Sequence, residues 1–138
     1  MHEKSKNTKI IEALNQLMQK PHSEFDQYRA TAFIMDAVFD TNDLNQLTYK
    51  TLRGAKGNLQ KAFGVSTLHD YVQQKGLDRI EPFLAAQGDM IIALDDEHDD
   101  VAFCAGTRWV YFDDEDALQH DRFSVKHFSD VDMIAYRI

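Results

Sequence analysis

Residues 85–106, AAQGDMIIALDDEHDDVAFCAG, decide how the chain is read. A Gly88-Asp89 turn opens the apolar run Met90–Leu94, an acidic loop spans Asp95–Asp100, and a second apolar run, Val101–Ala105, ends at Gly106. Apolar runs this short, rich in branched and aromatic side chains, suit strands better than helices. With turn residues between them they predict a hairpin whose strands are buried on both faces or nearly so. Downstream, Arg108–Phe112 predicts a third strand, Phe123–Phe128 a fourth and Met133–Ile138 a fifth.

Upstream the periodicity is helical. Ile10, Ile11, Leu14, Leu17 and Met18 share one face between Lys4 and Gln19, and Pro21 ends the pattern. A second helix begins after Ser23, taken as its cap, with Phe25, Tyr28, Ala32, Met35 and Phe39 along one stripe. Ala30, Phe33, Ile34, Ala37 and Val38 extend the apolar surface around it, so this helix is expected to be central. Asp40–Asp43, DTND, is a stop, because Asn and Asp side chains compete for the backbone. Two short helices follow, one closed by a left-handed Gly64, the other capped by Ser66 or Thr67 and closed at Gly76. Helices first and an antiparallel sheet second predict an α+β fold. We expect one domain over 1–138, with a helix in 1–20 peripheral to a core over 23–138.

The 138 residues carry a formal charge of -8, with 43% hydrophobic content and a single cysteine, Cys104. An internal disulfide is excluded, and the composition is that of a globular domain. The polar start MHEKSKNTKI and the lack of a long apolar segment predict neither a signal peptide nor a membrane span. Acidity repels phosphate backbones, so direct nucleic-acid binding is not expected.

Several landmarks fall in order: Asp36-Ala37-Val38 on the central helix, Leu52-Arg53-Gly54-Ala55, Phe63-Gly64, Ser66-Thr67-Leu68, Gln87-Gly88-Asp89-Met90, Val101–Gly106, and the terminal Ala135-Tyr136-Arg137-Ile138. From about Tyr28 onward the chain resembles a phage and prophage branch of proteins related to the NlpC-type cysteine peptidases, the papain-like amidases of peptidoglycan. The resemblance implies a helical half packed on a small antiparallel, partly barrel-like sheet. It also implies a nucleophilic Cys at the start of the central helix, activated by the helix N-terminus and a His. Arg29-Ala30 stands where relatives carry Asp-Cys, and Asp100 where the His would begin its strand. Both reactive groups are therefore expected to be missing, and the expected product is a pseudoenzyme without peptidase activity.

The other constellations have plain readings. Cys104 lies in an apolar strand, where a thiol stays protonated, so a dyad with His98 is disfavoured and core packing preferred. Asp95–Asp100 and Asp113–Asp116 lack calcium-loop spacing and read as solvated tips, able together to dock a basic partner. His2, His22, His69, His120 and His127 show no metal spacing, and neither metal nor cofactor is expected. Arg108, Trp109 and Tyr111 are candidates for a protein interface, as are Asp95, Asp96, Asp113 and Asp114.

The lineage makes other phage structural proteins the expected partners, in a virion tail or neck, with homo-oligomers allowed and no membrane. The protein would then occupy the host cytoplasm during assembly and the virion afterwards. The alternatives are an acidic inhibitor of a host defence or nucleic-acid enzyme, and a cell-wall hydrolase with a non-standard site.

Overall fold

A computed structural model describes residues 5–19, 25–106, 108–111, 119–121 and 133–138. Four α-helices, α1 (Lys6–Met18), α2 (Gln27–Phe39), α3 (Ala55–Phe63) and α4 (Leu68–Gln73), precede every described strand of the sheet. The strands are β1 (Asp78–Ile80), β2 (Met90–Ala93), β3 (Asp100–Cys104), β4 (Arg108–Tyr111), β5 (Gln119–Asp121) and β6 (Met133–Arg137). Every pairing is antiparallel, in the order β1-β6-β2-β3-β4-β5. The fold is α+β. Among the described residues β1 and β5 stand at the two ends of the sheet.

The predicted hairpin is the β2–β3 pair, with Met90 opposite Phe103 and Ala93 opposite Asp100. Its near-continuous apolar runs follow from burial on both sides. Met90, Ile92, Val101, Phe103, Val110, Ile134 and Tyr136 pack with the helices. Ile91, Ala102, Cys104, Trp109 and Ala135 form a second cluster with Ala85 on the other face. Two strands escape the apolar pattern: β1 is the short, charged segment Asp78-Arg79-Ile80 held against β6, and β5 is the polar Gln119-His120-Asp121. The strand expected at Phe123–Phe128 lies outside the described residues.

α1 starts at Ser5, whose hydroxyl accepts from the Thr8 N–H, and buries Ile10, Ala13, Leu14 and Leu17 against α2. It belongs to the core rather than its periphery, because its apolar stripe completes the same cluster as α2. α2 is capped by Asp26, not Ser23, and stops at Asp40, which takes the left-handed conformation. The DTND stop has a tertiary anchor as well: the Asp36 carboxylate accepts from the Asp43 and Leu44 N–H groups and from the Thr41 hydroxyl. Asp43 in turn accepts at 2.6 Å from both Tyr71 Oη and Lys75 Nζ, joining the end of α2 to α4.

Candidate functional site

The site that the sequence singles out lies at the start of α2. Asp26 Oδ1 accepts from the Arg29 N–H at 2.9 Å, and Tyr49 Oη donates to the same carboxylate at 2.6 Å. The Arg29 guanidinium reaches Asp26 Oδ2 at 3.3 Å, donates to the Tyr49 carbonyl and lies 4.0 Å over the Tyr49 ring. Burial and the bond to Asp26 push the Tyr49 phenol far above the usual tyrosine range, so it remains a donor. The positive end of α2 is thereby occupied by the chain's own carboxylate. Ala30 completes the first turn, its N–H bonded to the Asp26 carbonyl at 2.9 Å and its methyl fully buried. Beside it, the Thr31 hydroxyl donates back to the Gln27 carbonyl at 2.7 Å.

A second polar layer links this turn to the hairpin. Tyr28 Oη lies 2.7 Å from His98 Nδ1, and Gln27 Nε2 donates to the Asp99 carbonyl at 3.4 Å. The buried Asp99 carboxylate accepts from the Asp95 and His69 N–H groups at 3.1 and 3.0 Å, pinning the acidic loop to the start of α4. His69 Nε2 and Tyr136 Oη are 2.8 Å apart. Burial, with the nearby Asp99, Asp26 and Asp100 charges, raises the Tyr28 phenol far above its ordinary range. These side chains satisfy one another and leave no activated nucleophile in the first turn of α2.

Burial pushes the His69 imidazole below the ordinary histidine value, against the opposing pull of Asp99 and Asp70. The fold therefore favours neutral His69. As pH falls through the unfolded-state value of about 6.5, the unfolded chain takes up a proton that the native chain does not, and stability drops. A His69→Gln variant, which keeps a polar partner for Tyr136, is expected to lose less thermal stability than the parent between pH 7.5 and 5.5. Parallel thermal melts check this, and equal losses would refute it.

Asp100 pairs with Ala93 at the exposed start of β3 and alternates with Val101 and Phe103, which face the helices. Strand side chains alternate, so a shift of one residue changes face. The groups that do meet α2 are His98 and Asp99. Cys104 is buried on the far face, with its Sγ 3.7 Å from the Gly106 carbonyl, while His98 is bonded to Tyr28. The strand Asp100–Cys104 alone spans about 13 Å, and the thiol and the imidazole have separate partners.

Trp109 is not offered to a partner as a surface anchor. It is 3% exposed, packed with Ile91, Ala102, Cys104 and Ala135, and its Nε1 has no hydrogen-bond partner among the described residues. Arg108 and Tyr111 hold β4 positions opposite Asp121 and Ala102. Asp95 and Asp96 are exposed at the hairpin tip. Asp113 and Asp114 lie outside the described residues. The tip is not wholly solvated, because Asp99 turns inward. Contiguous acids concealed that role, and the only sequence signal was the position of Asp99 one residue before an apolar strand. Tyr49 and its bond to Asp26 carried no signal, since 23 residues separate them.

The Gly88-Asp89 turn and the terminal Tyr136-Arg137-Ile138 meet at one corner. Asp89 caps the Ala86 N–H at 2.8 Å and faces Arg137 at 3.4 Å. Gly88 has φ +94, and a Cβ there would sit 3.5 Å from both Asn7 and Ile10 of α1, so backbone freedom and close packing coincide. These landmarks hold the fold together beside a cleft of about 390 Å³ lined by Lys6, Asn7, Gly88, Asp89 and Arg137.

A family model described as a domain of unknown function, DUF6950, matches residues 6–129, most of the chain and all four helices. The protein belongs to the DUF6950 family. No curated protein and no solved structure matches it. Among the described residues of this DUF6950 chain, no group of three or more His, Cys, Asp or Glu side chains is placed to hold a metal ion. No helix among them is long and apolar enough to cross a membrane.

Proposed function

We propose that this DUF6950 protein is a papain-like amidase scaffold without the amidase chemistry, working as a structural or assembly component of a phage or prophage virion, at the tail or neck. The observation that carries the loss of chemistry is the occupied start of α2. Ala30 has no reactive atom, and the helix end that would stabilise a thiolate is capped by Asp26 and closed by Arg29 and Tyr49. Acyl transfer needs a nucleophile, a base in reach of it and a place for the developing oxyanion. The lone thiol sits buried on the opposite face of the sheet from α2. The virion role is supported by the sequence resemblance to phage-encoded relatives.

Zymography on peptidoglycan tests the chemistry, with a Cys104→Ala variant as control. Neither protein is expected to clear the substrate. Clearing by the parent that vanished in the variant would overturn the reading. Immunodetection in particles purified after induction of the source lysogen tests the virion role, and a band confined to the soluble lysate would count against it.

A further inference from the structure

Residues 44–69 contain no Asp or Glu, yet carry Lys50, Arg53, Lys56 and Lys61 in a chain whose net charge is -8. The structure places this stretch on the short turn Leu52–Gly54 and on α3, with Lys50, Arg53 and Lys61 exposed. Beside it stands the tip of the β2–β3 hairpin with Asp95, Asp96 and Glu97 exposed, and Lys56 Nζ donates to the Asp96 carbonyl at 3.2 Å. Each half carries an exposed leucine: Leu52 is 37% exposed between the cations, and Leu94 is 37% exposed at the edge of the acids. They are two of the three large apolar side chains exposed among the described residues.

A two-fold axis sets the same patch of each copy against the other, so a patch that closes on itself must carry its own complement. This one does. From these observations we infer that the protein forms a two-fold homodimer through the Leu52–Lys61 ridge of one copy and the Leu94–Glu97 tip of the other. Leu52 of each protomer lies against Leu94 of its partner, and Lys50 and Arg53 face Asp96 and Glu97 around them, an apolar centre within a charged rim. The overall charge opposes association at long range, but at physiological salt it is screened beyond about 8 Å, and the contacting pairs remain. The inference does not depend on the proposed loss of catalysis.

Sedimentation velocity in 150 mM NaCl tests it. The unaltered protein is expected to shift from monomer to dimer over a concentration series into the 100 µM range, an arm that needs no variant. Lys50→Glu/Arg53→Glu and Asp96→Lys/Glu97→Lys change exposed side chains that hold no turn or cap. Each double variant alone is expected to dimerise at least about 30-fold more weakly, because every substitution occurs twice in a two-fold interface. Mixed in equal amounts, the two are expected to form a heterodimer. A parent that stays monomeric throughout, a mixture that does not associate, or variants that dimerise like the parent would each overturn the inference. So would a monomeric parent that binds duplex DNA and loses that binding on Lys50→Glu/Arg53→Glu, since the ridge would then face a polyanion.

Discussion

Asp43→Ala is expected to cost about 3–5 kcal/mol of folding stability, the range for stripping one partner from a buried ion pair. Asp43 and Lys75 are 2.6 Å apart, their side chains 10% and 16% exposed, and the buried Tyr71 hydroxyl donates to the same oxygen at 2.6 Å. Burial and the bond to Asp43 hold that phenol far above its usual range, so it is a committed donor. Removing the carboxylate leaves an ammonium and a hydroxyl facing a methyl group, in a place where water enters poorly. Asp43→Asn keeps an acceptor for Tyr71 and loses only the charge, so it should fall between the variant and the parent. Urea unfolding of the three proteins measures this, and a loss below about 1 kcal/mol for Asp43→Ala would show that the pair does not tie α2 to α4.

Restoring a cysteine at the start of α2 is expected not to restore a reactive thiol. In an Ala30→Cys/Cys104→Ala protein the new sulfur occupies a fully buried position already bonded through its N–H to Asp26. A helix N-terminus lowers a thiol's pKa when its N–H groups and dipole are free to meet the thiolate. Here the Asp26 carboxylate accepts from the Arg29 N–H, and a second negative charge beside it is opposed. Labelling by a disulfide reagent at pH 7.5 should run at least about 100-fold slower than on the unfolded protein, since a local opening costing about 3 kcal/mol must come first. Fast labelling of the native protein would mean that the first turn is open and that the proposed loss of function rests on the missing atom alone.

These two sites differ in how much of them could be read in advance. DTND was legible as a stop from the habits of Asn and Asp, but the destination of Asp43 was not, because Tyr71 and Lys75 are 28 and 32 residues away. Ala30 was legible as an absence of chemistry wherever the helix packs. What surrounds it was not, because Tyr49 precedes a turn with no periodic pattern and reaches Asp26 only when the chain folds back.

The amino-acid order by itself determined the helices, through apolar spacing and caps such as Thr67 and Gly64, and the β2–β3 hairpin, through two apolar runs around polar punctuation. Those are local properties, set by propensity and by which side chains avoid water. Only the tertiary structure decided that α1 belongs to the core, that the Asp99 carboxylate turns inward to the start of α4, and that the polar β1 and β5 are strands at all. Each of these depends on partners distant in sequence. A strand's face depends on single-residue register, and a polar edge strand is stabilised by the neighbour that supplies its hydrogen bonds rather than by its own side chains.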